Sequence, residues 1–136
     1  MPRSRHPHLE DPRSLKRARA DRGRRNYESG LSAEHTVTET YRRQGLSIEG
    51  RRWRGQAGEI DLVMRDGNTL VFAEVKQARC FDRALESLRP RQIERLYACV
   101  EEYVQDQIGV QDVRFDLALV DDRGECRIME NIFAMG

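Results

Sequence analysis

The sequence predicts an α/β domain in which helices flank a mixed β-sheet with a central β-hairpin. Two strand-like segments, Glu59–Arg65 and Thr69–Gln77, are joined by an Asp66-Gly67 turn of the kind that closes tight hairpins. Apolar residues at the helical period precede and follow this hairpin, and two further strand-like segments end the chain. Helices and strands in this order are typical of one sheet with helices packed on it.

The 136 residues suffice for one domain of ordinary size, and the composition excludes several classes of protein. No apolar run approaches the roughly 18 residues of a membrane span, and the N-terminus lacks the apolar core of a secretory signal. Cys80, Cys99 and Cys126 form no CxxC pair, so we expect neither a disulfide framework nor a structural zinc site. We therefore expect a cytoplasmic protein with no membrane partner.

The formal net charge of +1 conceals an uneven distribution. Residues 1–30 contain nine Lys/Arg against four Asp/Glu, whereas the rest of the chain contains fifteen against nineteen. The N-terminal segment is also too poor in apolar residues to offset its ordering entropy. We expect residues 1–28 to form a flexible basic tail and residues 29–136 to form the domain. The tail is either a solvated leader or an arm that follows a phosphate backbone.

The first predicted element of the domain is a helix that starts near Gly30 and ends at Gly45. Its apolar residues recur at the helical period, and these are Leu31, Ala33, Val37, Tyr41 and Leu46. Glycine suits the position just after a helix because it tolerates a positive φ. A short extended segment is expected next, between Leu46 and Arg54.

In the hairpin that follows, side chains alternate between two faces. One face is wholly apolar and carries Ile60, Leu62, Met64, Val71, Ala73 and Val75. The other face carries Asp61, Phe72, Glu74 and Lys76. A two-residue Asp66-Gly67 loop would set Asp61 opposite Phe72, whereas a four-residue loop would set it opposite Glu74. Both registers leave the two carboxylates on one face.

The rest of the chain predicts a second helix and two strands, after a loop without a strong period. The helix begins at Pro90, carries an apolar stripe from Ile93 to Ile108 and is expected to end at Gly109. It should pack on the sheet. Val113–Val120 predicts a nearly wholly buried strand, and Glu125–Asn131 predicts another after a turn that ends at Gly124.

Asp61, Glu74 and Lys76 are costly to bury on one hairpin face unless something pairs with the carboxylates. A divalent cation would do so, because Mg²⁺ prefers carboxylate and carbonyl oxygens, and the carbonyl of Val75 is a third candidate ligand. Lys76 would then orient or deprotonate a bound water, or hold the scissile phosphate, during hydrolysis of a phosphodiester. The alternative is a solvent-facing Glu-Lys ion pair without a catalytic role.

The motifs around these residues together resemble the YraN-type uncharacterised bacterial protein family over about residues 30–133. They are Gly58-Glu59-Ile60-Asp61-Leu62, Arg65-Asp66-Gly67, Val71-Phe72-Ala73-Glu74-Val75-Lys76 and Arg114-Phe115-Asp116. The resemblance implies a restriction-endonuclease-like fold of the PD-(D/E)XK superfamily, with the catalytic roles on Asp61, Glu74 and Lys76. It also implies that Glu34 is a further acidic group near a Mg²⁺ or Mn²⁺ ion. Whether the protein is active stays open, because the fold also has inactive members.

The expected partner is nucleic acid, DNA in particular, with branched or structured DNA among the candidate substrates. Trp53, between Arg52 and Arg54, is either a base-stacking ring in a phosphate-binding patch or a lid over the sheet edge. Arg79 follows the candidate site, and Gln92 stands where the YraN family usually has lysine. We expect both at the nucleic-acid-binding surface. A non-catalytic nucleic-acid-binding module and a protein-interaction domain, with a homodimer as one form, are the alternatives.

Overall fold

The computed structural model describes residues 30–110 and 112–135 of the chain. Residues 33–136 belong to one compact unit, and the described residues 30–32, which belong to another, are helical. The predicted basic tail, residues 1–28, lies outside the described residues. Among the described helices, none combines the length and the apolar character needed to cross a membrane.

The helices and strands follow the predicted order, with two short helices added, one α-helix and one C-terminal 3₁₀ helix. They are α1, described over residues 30–43, β1 (Ser47–Arg54), β2 (Glu59–Asp66), β3 (Thr69–Gln77), α2 (Phe81–Glu86), α3 (Pro90–Val104), β4 (Asp112–Val120), β5 (Cys126–Met129) and a 3₁₀ helix (Ile132–Met135). Gly45, just after α1, has a φ of 93°, as the predicted stop requires.

The five strands form one mixed sheet in the order β1-β2-β3-β4-β5. Strands β3 and β4 are parallel, and the other three pairs are antiparallel. Parallel neighbours need a long crossover, and α2 and α3 supply it between β3 and β4. The predicted fold class, a mixed α/β sheet with a central hairpin and flanking helices, is confirmed, and it is compatible with a restriction-endonuclease-like fold.

Each face of the sheet buries its own apolar cluster. The α1 cluster contains Ala33, Val37, Tyr41, Leu46, Leu62, Met64, Val71, Ala73, Ala118 and Val120. The α3 cluster contains Ile60, Val63, Leu70, Phe72, Ala84, Leu88, Leu96, Cys99, Val100, Phe115, Leu117 and Leu119. Because both faces are covered, β3 and β4 have the nearly continuous apolar character that the sequence shows.

The hairpin closes one residue later than a two-residue Asp66-Gly67 loop would require. Asp66 pairs with Thr69, so the loop is Gly67-Asn68, and Gly67 has a φ of 61°. The resulting register, with Met64 opposite Val71, is the one that the four-residue loop predicted. It directs Asp61 towards Glu74 rather than towards Phe72.

Two predictions about the helices were wrong. The predicted loop after β3 contains α2, whose six residues are too few to show a helical period and bury only Ala84. Helix α3 ends at Val104, well before Gly109. Ile108 lies beyond that end and is 95% exposed, because three polar residues separate it from Val104, the last residue of α3 and one that packs against the α3 cluster.

Candidate active site

Strand β2 separates from β3 at Asp61. The paired register of the two strands ends at Leu62 and Ala73, so no backbone pairing joins Asp61 to Glu74. Instead, the backbone N–H of Val75 donates a hydrogen bond of 2.8 Å to Oδ2 of Asp61. The side chain of Asp61 thus takes the place of a strand partner at the point where the sheet opens.

This opening also explains why Ile60 does not lie where strict alternation predicted. It was expected beside Leu62 on the α1 side, but it packs in the α3 cluster instead. Once the pairing with β3 has ended, the period of two no longer fixes the direction of the preceding side chains.

Strand β1 brings a strained residue to the same level on the other side of β2. Arg51 pairs with Leu62 and Trp53 pairs with Ile60, which leaves Arg52 opposite Asp61. Arg52 has a φ of 52°, a left-handed conformation that is strained for a residue with a side chain. Strained backbone gathers at functional sites, and here it lies beside the carboxylate that the sequence singled out.

Asp61 and Glu74 form a half-buried pair of carboxyl groups joined by a hydrogen bond. Burial and the negative charge of Asp61 raise the pKa of Glu74 to about 8. Burial also raises the pKa of Asp61, against the hydrogen bond from Val75. Each carboxyl group therefore makes ionisation of the other less favourable unless a positive charge compensates.

Lys76 provides part of that compensating charge. Its Nζ lies 3.7 Å from Oε1 of Glu74, and a quarter of its side chain is exposed. Alternation along β3 places both residues on the side of the sheet that carries Phe72 and faces α3. The ammonium therefore lies beside Glu74 and is accessible to solvent.

Glu34 projects from α1 and acts on the pair through its charge. Its negative charge contributes to the raised pKa of Asp61. Its carboxylate also accepts a hydrogen bond of 3.2 Å from Nε of Arg52, and only 14% of its side chain is exposed. Glu34 thus lies near the acidic pair, with an arginine as its immediate partner.

A cleft of about 220 Å³ lies between the acidic pair and α3. It is lined by Glu74, by Ala57 and Gly58 of the β1–β2 loop, by Glu59, and by Gln92 and Arg95 of α3. The sequence predicted Gln92 but missed Arg95. The two residues are three positions apart and hence on one helix face, beside the apolar stripe that contains Leu96. That spacing is the signal that could have found Arg95.

The structure places the other predicted nucleic-acid-binding residues apart from this cleft. The half-buried ring of Trp53 packs edge-on against Tyr103, with ring centroids 5.4 Å apart. Arg54 is mostly exposed and forms an ion pair of 3.4 Å with Glu59. Arg79 lies beyond the end of β3, in a separate depression beside Asp121.

A divalent cation fits the chemistry of this donor set. In an extended strand the N–H and C=O of one residue point to the same edge, so the carbonyl of Val75 lies on the Asp61 side of β3. Two carboxylates and a carbonyl suit Mg²⁺, which keeps several waters and needs few protein ligands. In the described part of the chain, no three His, Cys, Asp or Glu side chains are grouped to hold a metal alone.

The Arg114-Phe115-Asp116 motif has a structural role away from the cleft. Asp116 is fully buried and accepts two hydrogen bonds of 2.9 Å from Arg114 and one of 2.8 Å from the hydroxyl of Tyr41. The N–H of Asn131 donates a further bond of 3.0 Å. This carboxylate therefore links α1, β4 and the segment after β5, and each of its bonds is charge-assisted.

These features define a class of α/β domain in which an acidic pair and a lysine lie where the central hairpin of a mixed sheet opens. The chain belongs to uncharacterised protein family UPF0102, the YraN family that its motifs resemble. The sequence profile of that family matches residues 33–120.

Several curated relatives, each described only as a UPF0102 protein, match nearly their whole length. The relative from Ruegeria pomeroyi is 48% identical over 122 residues, which cover 88% of this chain and 99% of that protein. The relative from Roseobacter denitrificans is 46% identical over 88% of this chain and 94% of its own length. The relative from Dinoroseobacter shibae is 42% identical over 87% and 90%, respectively.

Proposed function

We propose that the protein is a metal-dependent nuclease that hydrolyses phosphodiester bonds of nucleic acid, with DNA, including branched or structured DNA, as the first candidate substrate. The observation that carries the proposal is the half-buried Asp61–Glu74 pair, with Lys76 beside it, at the opening of the sheet. Two buried carboxylates side by side lower the stability of the folded protein, which argues against a purely structural role for the pair. A bound cation would remove this cost.

Asp61, Glu74 and the carbonyl of Val75 would hold Mg²⁺ or Mn²⁺. Glu34 is an additional candidate carboxylate ligand. A divalent cation at such a site stabilises the charge that develops on a transferring phosphoryl group and lowers the pKa of a bound water. The protein's own contribution is to hold the two carboxylates at fixed positions on neighbouring strands. Lys76 holds the scissile phosphate or exchanges a proton with the attacking water, and arginine could serve only the first purpose.

Titration calorimetry with Mn²⁺ on the full chain, on Glu74→Gln and on Glu59→Gln tests the metal site. We expect the wild type and Glu59→Gln to bind Mn²⁺, because Glu59 pairs with Arg54, and Glu74→Gln to lose binding. Glu59 is the matched control because it lines the same cleft. Equal binding by all three proteins, or none by the wild type at millimolar Mn²⁺, would contradict the metal site.

A cleavage assay on linear, nicked, flapped and four-way DNA tests the activity itself. Metal-dependent cleavage of any member of the panel, lost in Asp61→Asn and in Lys76→Met, is the expected result. Loss of a general acid–base group typically lowers a rate by about 10²–10⁴-fold. The cleavage rate of Lys76→Met should therefore be lower than that of the wild type by about this factor. An Asp61→Asn protein that kept its metal-dependent cleavage would exclude catalysis at this site.

A non-catalytic nucleic-acid-binding module is the second candidate, and one contact favours it. Arg52 already neutralises Glu34, so the third carboxylate near the pair has a protein partner. The acidic pair would then be retained for its contacts within the fold. Salt-dependent DNA binding that Mn²⁺ does not change, without cleavage of any substrate, would support this function over the first.

A further inference from the structure

The cleft beside Glu74 continues across α3 into a second depression. Ala57 and Arg95 line both, and Arg91, Glu94 and Ala98 complete the second. On α3 the first depression is lined by Gln92, Arg95, Leu96 and Cys99, and the second by Arg91, Glu94, Arg95 and Ala98, so the second lies beside the first around the circumference of the helix. The two adjoining depressions form one groove, which begins at Glu74 and crosses the exposed face of α3. We call it the α3 groove.

The cations of the α3 groove are Arg91 and Arg95. Arg91 and Arg95 are exposed, and neither forms an ion pair or a hydrogen bond with the residues that the structure describes. This differs from Arg52, Arg54, Arg65 and Arg114, each of which has a carboxylate partner. Glu94 is the carboxylate in the second depression, and it too is exposed, so the two guanidinium groups are free to meet an anion.

The spacing of the two arginines has a cost in the free protein. Residues four apart lie about 5–6 Å from each other on one helix face, and like charges there destabilise a helix by a few tenths of a kcal/mol. A ligand with several anionic groups in a row would relieve this repulsion. Guanidinium groups suit phosphate oxygens because they donate two hydrogen bonds in one plane.

We propose that Arg91 and Arg95 contact phosphates of the nucleic-acid strand that enters the cleft, and that the α3 groove guides this strand to Glu74. This inference rests on the proposed function, since it assigns the strand contacts of the same site. Arg95 contacts the phosphate nearer to the acidic pair, because it lines the cleft together with Glu74. Arg91 contacts the strand further from Glu74, because it lines only the second depression.

Fluorescence anisotropy with labelled duplex and single-stranded DNA, in metal-free buffer over a range of salt concentrations, tests the groove. The proteins are the full chain, Arg91→Gln, Arg95→Gln, the double variant and Arg43→Gln. Arg43 is the matched control, because it is also exposed and helical but lies on α1, which covers the opposite sheet face. Every variant keeps residues 1–28, so their contribution to binding is common to all.

We expect each groove substitution to weaken binding and to lower the slope of log affinity against log salt by about 0.9 on duplex DNA, and the double variant by about twice that. Arg43→Gln should match the wild type. Unchanged slopes in both groove variants, or an equal loss in Arg43→Gln, would overturn the inference. The inference would also be overturned if the groove variants lost affinity for polyglutamate, a polyanion without phosphates, but kept their affinity for DNA.

The two proposals fail in different ways. If Mn²⁺ binds and DNA is cut while the groove variants bind DNA like the wild type, the nuclease stands and the groove assignment is wrong. If the groove variants lose DNA affinity while no Mn²⁺ binds, the groove contacts stand and the catalytic proposal is wrong. Because Arg91 and Arg95 are not proposed metal ligands, Mn²⁺ titration of Arg95→Gln should match that of the wild type in either case.

Discussion

At the scale of single residues, the ionisation of Glu74 links the candidate site to the stability of the fold. Its pKa rises from 4.5 to about 8 because of burial and the charge of Asp61. A carboxyl group that holds its proton more tightly in the folded state lowers the free energy of unfolding as the pH rises between those two values. The metal-free protein should therefore become less stable from about pH 4.5 to about pH 8.

Substitution of Glu74 by Gln tests this linkage. Glutamine cannot ionise, so above about pH 8 the melting temperature of Glu74→Gln should exceed that of the wild type by roughly 10 °C, whereas the two should agree below about pH 4.5. Thermal unfolding in the presence of a chelator measures the difference. Glu59→Gln serves as the control, because it removes a neighbouring charge but leaves Glu74 ionisable, and it should keep the fall in stability between about pH 4.5 and about pH 8. Parallel profiles for wild type and Glu74→Gln would show that the surroundings of Glu74 do not raise its pKa.

Tyr41 offers a second test, at the buried carboxylate of Asp116. Tyr41→Phe removes one donor but leaves those of Arg114 and Asn131, so the carboxylate stays partly satisfied. Loss of a hydrogen bond to a charged group should lower the free energy of unfolding by about 1.5–3 kcal/mol. Urea denaturation measures it, with Tyr97→Phe, at an exposed ring, as the control. A change below that seen in Tyr97→Phe would mean that the hydroxyl contributes nothing to the link.

At the scale of elements, the β1–β2 loop forms one wall of the cleft and depends on α3. The carboxylate of Glu102 accepts hydrogen bonds of 2.9 and 3.0 Å from the N–H of Gln56, and one of 3.4 Å from that of Ala57. A Cβ on Gly55 would come within 2.5 Å of both this carboxylate and the ring of Trp53. Any side chain at Gly55 must therefore displace Glu102 from the loop that it holds.

We expect Gly55→Ala to lower the free energy of unfolding by about 1–3 kcal/mol, the usual cost of overpacking, and to weaken Mn²⁺ binding by disturbing the cleft. Gly50→Ala is the matched control, because a Cβ there meets no atom within 4 Å. Chemical denaturation and calorimetry of both variants give the comparison. If Gly55→Ala were as stable as Gly50→Ala, the loop would be free to move away from α3.

The elements also show which parts of the structure could be predicted. Alternation along β3 placed Glu74 and Lys76 on one face, because a period of two holds wherever strands are regularly paired and β3 pairs with β4 as far as Gln77. The end of pairing at Leu62 and the positive φ of Arg52 could not be predicted, since both depend on how three strands meet. Arg95 lies three positions from Gln92 on the same helix face, but only the packing of α3 on the sheet shows that this face lies beside Glu74.

At the scale of the whole molecule, the sheet separates two apolar clusters that support the site from opposite sides. Val37 of α1 is fully buried in one cluster, and Leu96 of α3 is 4% exposed in the other. Helices on opposite faces of a sheet lie about 20 Å apart, because each packs about 10 Å from it. Substitutions at such a distance, without shared contacts, are expected to act independently.

The variants Val37→Ala, Leu96→Ala and their combination measure whether the two faces behave in this way. The first should cost about 2 kcal/mol, from two buried methyl groups and the space they leave. The second should cost about 2–5 kcal/mol, and the double variant should equal the sum to within about 0.5 kcal/mol. Urea denaturation with an unchanged m-value gives the three numbers. A larger deviation would mean that the sheet transmits packing changes from one face to the other, in which case Asp61 and Glu74 would respond to changes in either cluster.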